Sequence, residues 1–168
     1  MVNSSRRPIS SAVAVKTLGG LALLLGVSSA QAQFLGNISA VGFAGQNLAF
    51  TACTIIQGPS GEALNVVVLA EAFDDPALDP VLFFAPVTVA PGDVQDSDEA
   101  FFNDDFSDNS AQDEDFIISN VRQVNRDTDS ALVVTLEVGE AFCAHAFVGS
   151  GSPEGLISIQ INDAGPAR

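Results

Sequence analysis

Short apolar runs separated by turn-forming residues recur about every ten residues through positions 33–168. In the clearest run, Leu132–Val138, apolar side chains occupy every second position, which is the period of a half-buried strand. The run Leu156–Ile161 repeats this alternation with isoleucines. No segment after residue 32 has the 3.6-residue period of an amphipathic helix. The pattern predicts an all-β fold: a single antiparallel β-sandwich of seven to eight strands, immunoglobulin-like or jelly-roll-like.

Turn signals divide the chain into individual strands. Phe34–Gln57 predicts two strands joined near Gly45, and Leu64–Ala70, which is apolar on both faces, predicts a central strand. Val81–Val89 predicts an edge or bulged strand, because Pro86 lacks a donor for the ladder. Phe116–Val121 predicts a short strand, and Ala141–Val148 predicts the hairpin partner of Leu132–Val138. Asn162–Arg168 predicts a frayed tail.

The first 32 residues have the three parts of a secretory signal peptide. The apolar part is Leu18–Val27, and Ala30-Gln31-Ala32 is a small-x-small cleavage site that would leave Gln33 as the first mature residue. The basic residues are Arg6, Arg7 and Lys16. An apolar run of about ten residues is shorter than the roughly twenty that a spanning helix needs. We therefore predict a signal peptide over 1–32, no membrane insertion, and a secreted or periplasmic β-sandwich domain over 33–168.

The predicted mature chain is strongly acidic. Residues 33–168 contain all 21 Asp and Glu residues but only three arginines, a formal charge of −18. Such a field repels nucleic acid and anionic membrane surfaces, which excludes both as direct partners. It also repels itself, so we expect high salt or bound divalent cations to stabilise the fold.

Much of this charge lies in Asp93–Asp115, where ten of 23 residues are acidic and none is basic. We predict an inter-strand loop here, and calcium as its tentative cofactor, because calcium takes six to eight oxygen ligands from carboxylates and carbonyls. The candidate ligands are Asp96, Asp98, Asp104, Asp105, Asp113 and Asp115. Their spacing does not fit an EF-hand, so the alternative is a solvated acidic loop of a salt-adapted protein.

Three phenylalanines, Phe101, Phe102 and Phe106, interrupt the acidic stretch. Burial of each ring on the sandwich would contribute about 2 kcal/mol, so we expect them to pin the loop. Acids interleaved with aromatic residues are also found in disordered segments that order on a partner, which is the alternative.

Cys53 and Cys143 are the two cysteines of the chain, and an exported chain meets an oxidising compartment. The prediction is a disulfide between them. The alternative, a metal or redox site that combines Cys143 with His145, has too few ligands and no CxxC motif.

Motifs for catalysis are absent from the sequence: there is no GxSxG, HExxH, P-loop or GxGxxG. We therefore predict a non-catalytic binding, adhesion or surface-structural module that acts on an unknown protein or surface ligand. Self-association through an exposed edge strand is a further expectation, with the Pro86 strand and Phe34–Phe43 as candidates. The alternative function is an extracytoplasmic hydrolase of the glycoside hydrolase type that uses a carboxylate pair.

Overall fold

The computed structural model describes residues 33–34, 37–58, 60–120 and 128–166. The predicted signal peptide, residues 1–32, lies outside the described residues. The described residues form nine strands and one α-helix, α1 at Ala111–Asn120. The strands are β1 (Gln33–Phe34), β2 (Ile38–Ala44), β3 (Phe50–Gln57), β4 (Ala63–Ala72), β5 (Pro80–Pro86), β6 (Phe101–Asn103), β7 (Ser130–Glu137), β8 (Ala141–Val148) and β9 (Gly155–Pro166).

The strands form two antiparallel sheets, which confirms a mostly β, sandwich-like fold. One sheet has the order β1-β3-β8-β5-β6, and the other has the order β2-β9-β4-β7. Strands that follow each other in the chain therefore often lie in different sheets. The predicted hairpin of β7 with β8 is wrong for this reason, because β7 pairs with β4 whereas β8 pairs with β3 and β5.

The main core lies between the sheets and is built from alternate residues of their strands. On β7, for example, Leu132, Val134 and Leu136 are buried while Thr135 and Glu137 are exposed. The largest buried contributors from the other strands are Ile56, Leu64, Leu82, Phe84, Ile157, Ile159 and Ile161. The period-two pattern of the sequence therefore identified the inward faces correctly, because burial of one face of each sheet fixes the register.

The acidic stretch continues into α1, and we call residues 93–120 the acidic cover. It is not a plain loop, because it contains two 3₁₀ turns (Val94–Asp96 and Phe106–Asp108), β6 and α1. Val94 packs on the outer face of the five-stranded sheet, whereas Phe106 and Ile117 pack on the outer face of the other sheet. The cover therefore passes around the β6 and β7 edges of the sandwich.

The predicted strand Phe116–Val121 is wrong, since residues 116–120 belong to α1. Ser110 and Asp113 have the spacing of a capping box, and Ser110 caps the helix: the Asp113 N–H donates to Ser110 Oγ at 3.2 Å, while the Ser110 hydroxyl donates to Asp113 Oδ2 at 2.7 Å. Asp113 and Glu114 lie in the first turn, where negative charge interacts favourably with the helix dipole. Part of the acidic run is therefore explained by the start of a helix.

Two other strand predictions need correction. The Pro86 strand is not an edge, because β5 lies between β8 and β6. The Val87 N–H donates to the Ala141 C=O at 3.0 Å, so Val87 directs its backbone groups toward β8. Because backbone groups alternate in direction along a strand, the nitrogen of Pro86 points away from β8 and toward the β6 side. The pairing of β6 with β5 stops at Phe84–Phe101, before it reaches Pro86. The proline thus removes no strand-to-strand hydrogen bond. The predicted frayed tail is also wrong as far as Pro166, because β9 continues to that residue.

Candidate functional site

A groove follows the outer face of the five-stranded sheet, where phenylalanines from three neighbouring strands lie side by side. The ring of Phe83 on β5 is 5.0 Å from that of Phe102 on β6 and 5.8 Å from that of Phe147 on β8. Phe83 and Phe147 are buried, but Phe102 is 55% exposed. Phe102 therefore offers one accessible ring that packs on the buried ring of Phe83, which in turn packs on the buried ring of Phe147.

Two adjoining cavities of about 340 and 410 Å³ make up this groove, and both are lined by Phe83 and Gln95. Turns at the ends of strands supply polar side chains, with amides from Gln46 and Asn47 and hydroxyls from Ser97 and Ser150. Among the residues that the structure describes, no Asp, Glu, Lys or Arg side chain lines either cavity. The groove thus combines apolar rings with neutral hydrogen-bonding groups in a protein that is otherwise dense in carboxylates.

A third cavity, of about 630 Å³, lies beside the disulfide and is also uncharged. Its walls are mostly apolar and include Ile38, Ile55 and Val87 together with both half-cystines. The Cys53–Cys143 disulfide itself confirms the sequence prediction. It joins residues that face each other directly across β3 and β8, with Cα atoms 4.0 Å apart. It therefore cross-links two strands that already pair through backbone hydrogen bonds.

His145 is the histidine that the sequence singled out, and it is a packed residue. Its side chain is 2% exposed, and its Nδ1 atom lies 2.9 Å from Thr51 Oγ1, while Nε2 is buried without a hydrogen-bond partner. Burial lowers the pKa of His145. A neutral, enclosed imidazole fits a structural role better than proton transfer to a substrate.

The structure distributes the six predicted calcium ligands over three parts of the acidic cover. Asp96 and Asp98 are exposed near the first 3₁₀ turn, Asp104 and Asp105 follow β6, and Asp113 and Asp115 lie on α1. Among the described residues, no group of three or more His, Cys, Asp or Glu side chains is arranged to hold a metal ion. Calcium binding by these aspartates stays a prediction.

Asp104 and Asp105 do approach a third carboxylate, Asp79, which precedes β5. Burial, and then the charges of Asp104 and Asp105, raise the pKa of Asp79. One oxygen of Asp79 and one of Asp104 are buried without a hydrogen-bond partner. Folding therefore places like charges together here at an electrostatic cost that screening, protonation or a cation would reduce.

Two asparagines of the acidic cover have a role that the sequence analysis missed. Ala131 on β7 donates its N–H to Asn103 Oδ1 and accepts from Asn109 Nδ2, both at 3.0 Å. Ser130 Oγ donates to the carbonyls of Pro80 and Asp104. These bonds attach the cover to the start of β7 and satisfy backbone groups that an edge strand would otherwise expose.

No protein-family model matches the chain, and no curated protein or solved structure matches it significantly. Within the described part of the chain, no helix is both long and apolar enough to cross a membrane.

Proposed function

We propose that this protein is a secreted or periplasmic, non-catalytic binding module whose ligand occupies the groove on the outer face of the five-stranded sheet. The uncharged lining of that groove carries the proposal. The predicted signal peptide and the disulfide support export, since disulfides persist in oxidising compartments.

The strand pairing supports a jelly roll as the particular kind of sandwich. The pairs β2·β9, β3·β8, β4·β7 and β5·β6 are all neighbours, as in one long antiparallel hairpin rolled into two sheets. Eight strands wound in this way form a jelly roll, an architecture that occurs among lectin domains. An immunoglobulin-like sandwich has a different strand order.

The lining of the groove favours an uncharged, hydroxyl-rich ligand such as a neutral glycan. Amide groups of Gln46, Asn47 and Gln95 can each donate and accept hydrogen bonds, and the ring of Phe102 can pack on the apolar face of a sugar. An anionic ligand would be repelled by the charge of −18 that residues 33–168 carry. A cationic ligand would find no carboxylate among the described residues that line the two cavities.

Calorimetric titration with a panel of neutral oligosaccharides tests this proposal. Phe102→Ala should weaken binding by about fivefold or more, since stacking on one ring contributes on the order of 1 kcal/mol or more. Phe101→Ala is the matched control, because Phe101 is 46% exposed but its ring approaches Phe142 on the other side of β6. Failure of every neutral glycan to bind, or equal loss in both variants, would contradict the proposed site.

We also propose that salt or calcium stabilises the module through the acidic cover. A melting temperature that saturates at low calcium concentration would identify a specific site, whereas a gradual rise with any salt would identify screening. A melting temperature unchanged by EDTA, calcium and molar NaCl would refute both forms.

The alternative function, a hydrolase with a carboxylate pair, would have to use Asp79 and Asp104, since these side chains approach each other and the pKa of Asp79 is raised. Neither residue lines any of the three cavities described above, which is why binding is placed first. Release of reducing ends from a glycan by the wild-type protein, abolished in Asp79→Asn, would reverse this order.

A further inference from the structure

Strand β2 forms one edge of the four-stranded sheet, and no described strand pairs with its outer side. Its seven residues, Ile38–Ala44, include no proline and no charged residue. A regular, uncharged edge strand is a template for pairing with another chain, and proteins usually protect such edges with charges, prolines or short length.

The other edges of the two sheets are short or covered. In the five-stranded sheet the edge strands β1 and β6 have two and three residues. In the four-stranded sheet the opposite edge strand, β7, is bonded at Ala131 by the side chains of Asn103 and Asn109. β2 is thus a long edge to which the described residues give no comparable protection.

Exposed apolar side chains surround this edge on the outer face of the sheet. Val41 and Phe43 on β2 are 44% and 51% exposed. Phe43 lies opposite Leu156 on β9, and Leu156 in turn accepts a hydrogen bond from the backbone of Phe73, whose side chain is 58% exposed. Together these four residues form an apolar row that crosses three chain segments, and we call it the β2 patch.

The charge of the protein is absent from this region of the sequence. Residues 33–61 contain no charged side chain, so all 21 acidic residues lie at position 62 or later. The described acids near the patch lie outside β2: Glu154 packs against Gly45, and Glu71 accepts a hydrogen bond from Gln160. Asp74 directly follows Phe73 in the chain, and the Asp163 N–H donates to Asn37 just before β2. Two copies that meet along β2 would therefore bring no carboxylates of this strand face to face.

We propose that β2 pairs with β2 of a second copy of this chain, antiparallel and around a two-fold axis at Gly42, to join two four-stranded sheets into one of eight strands. In this register Phe43 of each copy lies opposite Val41 of the other, and aromatic pairs with β-branched residues stabilise antiparallel sheets. Such an interface is isologous, because one strand supplies both halves of the contact.

The charge distribution favours a second copy over other occupants. A basic partner would be drawn to the acidic surfaces, not to the strand that lacks acids, and a different acidic partner would have no reason to match this register. The remaining charge still repels the second copy, so association requires screening. Salt should therefore strengthen this complex, whereas salt weakens the attraction of a basic partner to an acidic protein.

Sedimentation equilibrium of the purified protein between 0.1 and 1 M NaCl tests the inference. As the Debye length falls from about 10 Å to about 3 Å over this range, the dimer dissociation constant should fall by at least about tenfold. A protein that stays monomeric at every salt concentration overturns the proposal, and so does a homodimer that salt dissociates.

Val41→Lys should weaken the dimer by at least about 100-fold, because it places two ammonium groups beside the two-fold axis. Ile118→Lys is the matched control: Ile118 is also β-branched, is 49% exposed, makes the same change of charge, and lies on α1 beside β7, at the opposite edge of the sheet from β2. If Val41→Lys fails to fold by circular dichroism, Ser39→Lys carries the same test, since Ser39 is exposed on the same strand. A dimer unchanged by the β2 variants, or weakened equally by Ile118→Lys, overturns the assignment to β2.

This inference is independent of the proposed glycan groove, which lies on the other sheet. Phe102→Ala should leave the dimer intact, and Val41→Lys should leave oligosaccharide binding intact. The two proposals can therefore fail separately.

Discussion

Phe106 is the residue that we expect to hold the acidic cover on the sandwich. Its ring is 0% exposed and packs with Val67, Leu69 and Ile117 against the outer face of the four-stranded sheet. Truncation of a fully buried Phe to Ala typically costs about 3–5 kcal/mol, through lost burial and the cavity left behind. For a domain of this size, each kcal/mol lowers the melting temperature by about 3 °C, so Phe106→Ala should lose roughly 9–15 °C. Thermal and urea unfolding followed by circular dichroism measure this change.

The control is Phe102→Ala, four residues earlier in the same acidic segment. Phe102 is 55% exposed, so its truncation should cost less than about 1 kcal/mol. In Phe106→Ala, amide hydrogen exchange should also rise first in residues 104–120, since this part of the cover loses its main anchor. Equal, small effects of the two substitutions would refute the view that Phe106 fixes the cover.

Three further predictions concern the disulfide, the carboxylate group and the buried histidine. Reduction of Cys53–Cys143 should lower the free energy of unfolding by up to about 4–5 kcal/mol in urea titrations, given the sequence separation of 90 residues; denatured, unreduced protein should contain no free thiol. Asp79→Asn should raise the melting temperature at pH 7, because the raised folded-state pKa of Asp79 means that its ionised form destabilises the fold. This gain in melting temperature should shrink as the pH falls through the folded-state pKa and vanish below about pH 4. A lower melting temperature of the variant at pH 7 would contradict the prediction. The folded-state pKa of His145 is lowered, so the free energy of unfolding should be at its full value above about pH 6.5 and should decline as the pH falls from there toward the folded-state pKa. This decline should be absent in His145→Leu. Identical pH profiles of the two proteins would count against the prediction.

The inward faces of the strands could be predicted from the sequence because they depend on a local alternation. Leu132–Val138 and Leu156–Ile161 show a clear period of two, and the structure buries the expected side chains. The disulfide followed from the number of cysteines and the expected compartment. The pairing of strands could not be predicted in the same way, because pairs such as β2 with β9 and β3 with β8 depend on contacts between segments that are distant in the sequence. Nothing local to Ala141–Val148 shows that β8 pairs with β3 and β5 instead of β7.

The helix α1 was missed because its apolar signal is weak. Among the described side chains of α1, Ile117 alone is buried, and the stretch Phe116–Val121 has the β-branched composition of a strand. The capping box formed by Ser110 and Asp113 was the available signal, since Ser-x-x-Asp before an apolar group marks the start of a helix. The high charge density of the segment obscured this helix signal at Ser110 and Asp113.

The contacts of the acidic cover give it a structural role in addition to its charge. Its asparagines close the β7 edge, Val94 and Phe106 bury apolar surface on opposite sheets, and Ser110 caps a helix that has Asp113 in its first turn. Several acids between these anchors are exposed, although Asp104 is partly buried, and their charge repels other anionic molecules from that side of the sandwich. The charge-free β2 edge lies on the opposite side of the four-stranded sheet from β7. The two edges of the four-stranded sheet therefore differ: the acidic cover protects β7 by hydrogen bonds and like-charge repulsion, whereas β2 is uncharged and open to the pairing that we propose.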